Sequence, residues 1–173
     1  ASSAPHGAAP IYPGTCARIE PAAAHERIAS GARHSWRLRV EQAPRTFLDG
    51  FAGEVALDLA QEGGDFVVRR GDQYFAYQLA CAVDDALTGC IEVLRGSDLL
   101  ESGVRQAYIL ACLELPVPRY VHIPLMMGPD GRRLAKRIGS EDLSGLLSRG
   151  YDATAVRSYL AHTLGLCEAG ERP

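Results

Sequence analysis

The stretch YFAYQLACAVDDALTGCIEVLRGSDLLE, residues 74–101, predicts a helix, a tight turn, a buried strand and the start of a second helix. Apolar side chains recur at helical spacing over residues 77–87, and the short apolar run over residues 91–94 is typical of a strand. Tyr77 begins that helix, and Arg95 follows the strand at its carboxyl end. Because open α/β sheets bind ligands beyond the carboxyl ends of their strands, we expect a ligand site near these two residues.

Strands and helices are also predicted through the rest of the chain. The predicted strands cover residues 35–40, 53–59, 66–70 and 120–127, and the further helices cover residues 21–30, 98–113, 140–149 and 152–164. Ser97 and Ser140 are the expected N-caps of the second and third of these helices. Strands separated by helices from Tyr74 onward, followed by a helical end, indicate an α/β fold.

The composition narrows the class of protein. The chain has 173 residues, of which 47% are hydrophobic, enough for one globular α/β domain. Its formal net charge of -3 argues against a strongly basic nucleic-acid-binding module, although a local basic face stays open. The five cysteines are odd in number and widely spaced, so we expect a reducing cytoplasm without a disulfide framework. Without a leader or a long apolar run, neither secretion nor a membrane span is expected.

Arg95 is the residue in the chain that most requires a partner. A guanidinium at the end of a buried strand is costly to leave unpaired. It either pairs with a carboxylate, for which Asp84, Asp85 and Asp98 are candidates, or it binds an anionic substrate. The residues alone favour neither outcome. Tyr77 has two readings as well, since its hydroxyl either contacts a polar ligand or lies at the surface above a buried ring.

Three further positions have weaker signals. Lys136 lies in a basic loop behind a glycine-rich turn, which suits either a polyphosphate ligand or a solvated surface turn. Tyr12 and Cys16 lie in a turn, but structural zinc takes four protein ligands, so the pair alone predicts only a turn. His122, inside a predicted strand, is expected to be a hydrogen-bonded structural histidine.

Several motifs in order resemble those of class I glutamyl-tRNA synthetases. They are FAYQLA at residues 75–80, VDDA at 83–86 and VLRGSDLL at 93–100, and RLAKR at 133–137 lies where that family has its KMSKS-type loop. The resemblance covers roughly residues 12–166. It implies the second half of a Rossmann-like class I catalytic domain, with a strand-rich insertion and a helical carboxyl-terminal end.

Within that family the chain looks most like the short glutamyl-Q tRNA(Asp) synthetases. Residues 12–16 match the second half of their zinc site, and the sequence ends soon after the KMSKS-like loop. The resemblance therefore implies three parts: residues 1–34 as a zinc-loop remnant with a short helix, residues 35–127 as the α/β catalytic half, and residues 128–173 as the KMSKS-like loop with helices. The implied reaction is activation of L-glutamate by ATP, with Mg, and its transfer to queuosine in the anticodon of tRNA(Asp).

The resemblance also assigns roles to individual residues. It implies that Tyr77 and Arg95 bind glutamate, that Lys136 stabilises the triphosphate of ATP during catalysis, and that Tyr12 and Cys16 are two of four zinc ligands. The chain departs from the family pattern at three places. Ala135 stands where serine is usual, Arg133 where lysine is usual, and Gly103-Val104 where Thr-Pro is common.

The family's HIGH-type half and its Cys-x-Cys zinc ligands would lie upstream of Ala1. We therefore expect a monomeric carboxyl-terminal fragment that is inactive alone. Two alternatives stay open: a truncated glutamyl-tRNA synthetase that charges tRNA(Glu), and a non-catalytic paralogue that binds glutamate, nucleotide or tRNA.

Overall fold

The computed structural model describes residues 12–40, 46–128, 131, 133–134 and 143–168. The chain divides into two compact units between His122 and Ile123, and each unit is described by itself. Lys136, Ala135 and the expected N-cap Ser140 lie outside the described residues.

The first unit contains most of the secondary structure. Its elements are α1 (Pro21–Ala29), β1 (Trp36–Leu38), β2 (Thr46–Asp49), β3 (Gly53–Ala56), a π-helical turn (Leu59–Gly63), β4 (Phe66–Arg69), α2 (Tyr77–Leu87), β5 (Glu92–Gly96), a 3-10 turn (Ser97–Leu99), α3 (Leu100–Cys112) and β6 (Arg119–Ile123), whose last residue begins the second unit. The second unit contains α4 (Leu143–Ser148) and α5 (Ala153–Thr163). None of the helices in the described ranges has the length and apolar character that a membrane crossing requires.

The described strands form three pairs. Strand β1 pairs antiparallel with β4, with an irregularity in register between Trp36 and Arg37, and β2 pairs antiparallel with β3 across a tight turn. The third pair is β5 with β6. Strand β2 was not expected from the sequence, because it is only four residues long and its alternating pattern is too short to predict a strand.

Strands β5 and β6 run parallel. The backbone N–H of Arg119 donates to the carbonyl of Ile91 at the start of β5, and Arg95 near its end contacts His122 near the end of β6. The first contact joins the starts of the two strands and the second joins their ends, so both strands run in the same direction. Helix α3 connects the strands, as a crossover between parallel neighbours requires. The pair therefore presents its two carboxyl ends at one edge.

The core of the first unit lies between its strands and helices. Helix α2 packs against α3 and β4, and Ala82, at the centre of α2, is fully buried. Eight of the buried apolar residues form one cluster, which comprises Val40, Leu57, Leu59, Phe66, Ala82, Val104, Ile109 and Leu110. Burial of this cluster supplies the main stabilisation of the unit.

The helix boundaries follow the sequence pattern with one exception. Helix α2 has the predicted bounds, and Gly89 follows its end with a φ of 75°, a conformation that glycine adopts without strain. Helix α5 begins after Asp152, whose carboxylate accepts the Ala155 N–H at 2.6 Å. The expected N-cap role of Ser97 is wrong. Ser97 begins the 3-10 turn, and α3 begins after Leu99 without a side-chain cap.

Candidate functional site

Arg95 lies on β5 and contacts groups from two neighbouring elements. Its Nε–H donates to Nε2 of His122 at 3.0 Å, and one terminal nitrogen, Nη2, donates to the carbonyl oxygen of Leu99 at 3.5 Å. The guanidinium carbon lies 5.0 Å from the centre of the Tyr120 ring, within cation–π distance. The guanidinium is thus held on its inner side by β6 and by the 3-10 turn.

The sequence left open whether Arg95 pairs with a carboxylate, for which Asp84, Asp85 and Asp98 were the candidates. Among the described residues, no ion pair joins Arg95 to any of these three. The inner partner is instead the neutral ring nitrogen of His122, which leaves the positive charge of the guanidinium uncompensated by that contact. This arrangement suits the second reading, in which Arg95 meets an anionic ligand.

His122 is buried behind Arg95 and is bonded to Asp49. The His122 Nδ1 lies 2.7 Å from Oδ2 of Asp49, and both side chains are fully buried. An arginine Nε–H only donates, so Nε2 of His122 is the acceptor and Nδ1 carries the proton that is donated to Asp49. The expectation of a hydrogen-bonded structural histidine is confirmed, and its partner is a carboxylate that the sequence did not single out.

Asp49 ends β2, and its carboxylate accepts hydrogen bonds from backbone N–H groups as well as from the His122 ring. Its Oδ1 accepts the N–H groups of Phe51 and Ala52, each at 2.9 Å, and the His122 N–H at 3.2 Å. Burial by itself would raise the pKa of Asp49, but the hydrogen bonds from Ala52, the His122 ring, Phe51 and the His122 backbone outweigh it and lower the pKa to about 2. Asp49 is therefore ionised at neutral pH.

Tyr77 begins α2, as predicted, and its side chain is about half exposed. Burial raises the pKa of its hydroxyl, Cys81 adds to the rise, and the positive charge of Arg95 opposes it. Arg95 is therefore close enough to act on the Tyr77 hydroxyl electrostatically. Burial also raises the pKa of Tyr120 to about 12, against the same opposing charge of Arg95. Both tyrosine hydroxyls thus lie within electrostatic range of Arg95.

Helix α3 leaves room for this cluster at Gly103. A β-carbon added to Gly103 would lie 2.8 Å from Cε1 of His122 and 3.2 Å from Nη2 of Arg95. Any larger residue would displace one of the two side chains. The departure from the family pattern at this position therefore bears directly on how Arg95 and His122 are placed.

Tyr12 and Cys16 are close together in the structure. The backbone N–H of Cys16 donates to the Tyr12 hydroxyl at 2.6 Å, and the Arg37 guanidinium lies 4.0 Å from the Tyr12 ring centre. The part of the chain that the structure describes contains no cluster of three or more histidine, cysteine, aspartate or glutamate side chains suited to a metal. Two donors are half of the set that structural zinc takes, so the zinc site stays a prediction.

The described part of the basic loop begins with a turn. The Gly131 N–H donates to the Gly128 carbonyl at 3.0 Å, and the Leu134 N–H donates to the Met126 carbonyl at 2.9 Å. Met127 and Arg133 form an isolated antiparallel bridge. The turn predicted after Met127 is thus present, whereas the role of Lys136 stays a prediction.

The sequence contained one signal for Asp49. Residues 49 and 50 are Asp-Gly, a dipeptide typical of hairpin turns, and β3 begins three residues later at Gly53. That signal would have placed Asp49 at a turn. It would not have placed the carboxylate beside His122, because the two residues are 73 positions apart.

A family comparison identifies relatives of the chain. The model of the family described as "tRNA synthetases class I (E and Q), catalytic domain" matches residues 3–171. The glutamyl-Q tRNA(Asp) synthetase of Symbiobacterium thermophilum is 44% identical over 98% of this chain and 53% of its own length. The protein of the same name from Nocardia farcinica is 43% identical over 96% of the chain and 52% of its own length. The chain thus spans about half the length of these two relatives.

A relative with a different name is also similar. Glutamate–tRNA ligase 2 of Acidithiobacillus ferrooxidans is 47% identical over 90% of the chain and 32% of its own length. Among solved structures, the glutamate–tRNA synthetase of Elizabethkingia anophelis superposes with a TM-score of 0.68 at 18% identity, over 83% of this chain and 32% of that one. At that identity the superposition shows a shared fold.

Proposed function

The chain belongs to the family of class I tRNA synthetases for glutamate and glutamine, and we propose that it supplies part of the amino-acid site of an enzyme that activates L-glutamate with ATP. In the proposed reaction, ATP accompanied by Mg converts glutamate to glutamyl-adenylate. The glutamyl group then passes to the queuosine base of tRNA(Asp). The names of the two relatives at 44% and 43% identity support this choice of tRNA.

The placement of Arg95 is the observation that carries the proposal. The guanidinium lies at the carboxyl end of β5, bonded at Nε to neutral His122 and stacked over Tyr120. The terminal N–H groups that these contacts do not use, its outer N–H groups, offer the planar fork with which an arginine binds a carboxylate through two hydrogen bonds. Tyr77 lies in the same neighbourhood and offers a hydroxyl at the start of α2.

Substitution of Arg95 tests this role in the intact protein. We expect Arg95→Ala to raise the KM for glutamate by about tenfold to a hundredfold, the range that charge-assisted hydrogen bonds provide, with the KM for ATP nearly unchanged. ATP–pyrophosphate exchange measures both constants. Glu92→Gln, on the same strand and in an exposed ion pair with Arg119, is the matched control and should change neither. Equal increases in both constants for Arg95→Ala would refute the assignment.

The acceptor tRNA is tested separately. Glutamate–tRNA ligase 2, at 47% identity, supports tRNA(Glu) as the second candidate. Transfer of radiolabelled glutamate to queuosine-containing tRNA(Asp), but not to tRNA(Glu), is the expected result. The opposite preference would replace the first candidate by the second while leaving glutamate activation intact.

Lys136 and the zinc pair complete the proposal. Lys136 is proposed to stabilise the triphosphate as pyrophosphate leaves, because positive charge placed there is worth most in the transition state. Tyr12 and Cys16 are proposed to hold structural zinc together with two further ligands. The hydrogen bond from the Cys16 backbone N–H to the Tyr12 hydroxyl supports this pairing, since it holds that hydroxyl against the backbone of Cys16.

A further inference from the structure

A buried chain of hydrogen bonds lies behind Arg95. It runs from the Asp49 carboxylate through the His122 imidazole to the Arg95 guanidinium, with distances of 2.7 Å and 3.0 Å. Asp49 and His122 retain only 2% and 1% of their exposure. Water is therefore excluded from both links, and each group depends on the other for its hydrogen bond.

The order of donors and acceptors along this chain is fixed. Arginine donates at Nε, so His122 accepts at Nε2 and its proton lies at Nδ1, where the Asp49 carboxylate accepts it. The opposite tautomer would bring two N–H groups face to face between His122 and Arg95. The negative charge of Asp49 therefore selects the tautomer that allows Arg95 to bond inward.

The packing around His122 prevents the ring from turning away. Its ring stacks on Tyr120 with 6.1 Å between centroids and an angle of 14° between planes. Gly103 on α3 lies close to the same ring, since a β-carbon added to Gly103 would lie 2.8 Å from Cε1 of His122. Phe47 on β2 lies 6.4 Å away, centroid to centroid. A ring held on these sides gives the Arg95 Nε–H one fixed acceptor direction.

We propose that Asp49 and His122 are positioning residues, which orient the Arg95 guanidinium so that its outer N–H groups form a fork for the substrate carboxylate. The inference rests on the proposed function, in which Arg95 binds glutamate. It adds two residues that do not touch the substrate, and it assigns them an effect on glutamate affinity. A purely structural role would change stability and leave that affinity alone.

The test uses three variants in the intact protein. Asp49→Asn places an amide N–H opposite Nδ1 of His122, which favours the tautomer with the proton on Nε2. Nε2 can then no longer accept the hydrogen bond from Arg95. We expect the KM for glutamate to rise on the order of tenfold, as for loss of one hydrogen bond to a charged group, with the KM for ATP within about twofold. His122→Phe should have the same effect, because the ring is retained without its acceptor. His122→Gln supplies an amide oxygen for Arg95 and should restore most of the glutamate affinity.

Asp58→Asn is the matched control. The Asp58 carboxylate also accepts hydrogen bonds from two backbone N–H groups, at 3.1 Å and 3.2 Å, and none of the contacts described joins it to Arg95. Its substitution should leave the KM for glutamate unchanged. If Asp49→Asn fails to fold, the comparison of His122→Phe with His122→Gln tests the same claim.

A spectroscopic measurement separates this inference from the proposed function. In wild-type protein without substrate, ¹⁵N NMR should show the His122 proton on Nδ1 and a slowly exchanging Arg95 Nε–H. Asp49→Asn should move the proton to Nε2 and accelerate exchange at Arg95. If Arg95→Ala leaves the KM for glutamate unchanged while these NMR changes occur, the proposed function fails and the positioning of Arg95 stands. Absence of these NMR changes in Asp49→Asn would overturn the inference. It would also be overturned if the changes occur and Arg95→Ala raises the KM for glutamate, but Asp49→Asn does not.

Discussion

Replacing Asp49 by asparagine removes a buried charge that the first unit stabilises. The pKa of Asp49 falls from 3.8 to about 2 in the folded protein. Because one pKa unit corresponds to about 1.4 kcal/mol, the ionised carboxylate contributes about 2 kcal/mol to the free energy of unfolding at neutral pH. We expect Asp49→Asn to lower the free energy of unfolding by about that amount at pH 7.

The effect should depend on pH in a defined direction. A carboxylate with a lowered folded-state pKa contributes stability above its unfolded pKa and loses it as the pH falls through the folded value. For Asp49 the contribution is present above about pH 5 and is lost mainly between about pH 4 and pH 2, the interval between the two pKa values. The difference between wild type and Asp49→Asn should therefore shrink across that interval.

Urea unfolding followed by circular dichroism, at pH 7 and at successively lower pH, measures this difference. Asp58→Asn serves as the control, since it removes a carboxylate that caps two backbone N–H groups but has no bonded histidine among the contacts described. The control should cost less at pH 7 than Asp49→Asn. A penalty for Asp49→Asn that is as large at pH 3 as at pH 7 would show that the lost stability does not come from the charge of Asp49.

Three further predictions concern the site and its neighbours. Gly103→Ala should lower the free energy of unfolding by about 1–3 kcal/mol, measured by urea unfolding, because its β-carbon would lie 2.8 Å from Cε1 of His122; unchanged stability would contradict the close approach. Lys136→Ala should reduce kcat for ATP–pyrophosphate exchange in the intact protein with little change in the KM for glutamate; a normal kcat would favour a solvated surface turn. Cys16→Ser should reduce zinc content in elemental analysis of the intact protein; full occupancy would exclude Cys16 as a ligand.

The local parts of the site could be predicted from the sequence. Helical periodicity fixed α2 at Tyr77–Leu87, and the short apolar run placed a strand in front of Arg95, although β5 extends to Gly96. These features depend on residues close in sequence, where spacing and turn chemistry are informative. The expectation that Tyr77 and Arg95 share a ligand site came from that local pattern and from the rule for open α/β sheets.

The long-range parts could not be predicted in the same way. Asp49 and His122 are 73 residues apart, and Arg95 and His122 are 27 apart, so no spacing rule pairs them. Ser97 failed as an N-cap because a 3-10 turn takes up residues Ser97–Leu99 before α3 begins. His122 was correctly expected to be hydrogen-bonded, but its partner depended on β2, whose four residues gave too weak a pattern.

The amino-acid requirement of ATP–pyrophosphate exchange by the intact protein tests directly whether Arg95 serves a glutamate-activating site. The proposed fork at Arg95 takes the side-chain carboxylate of glutamate, which glutamine lacks, through charge-assisted hydrogen bonds, each of which strengthens binding by about tenfold or more over a neutral group. We expect exchange that depends on glutamate and is at least about tenfold weaker with glutamine at equal concentration. Equal exchange with glutamine, or none with either amino acid, would contradict this expectation.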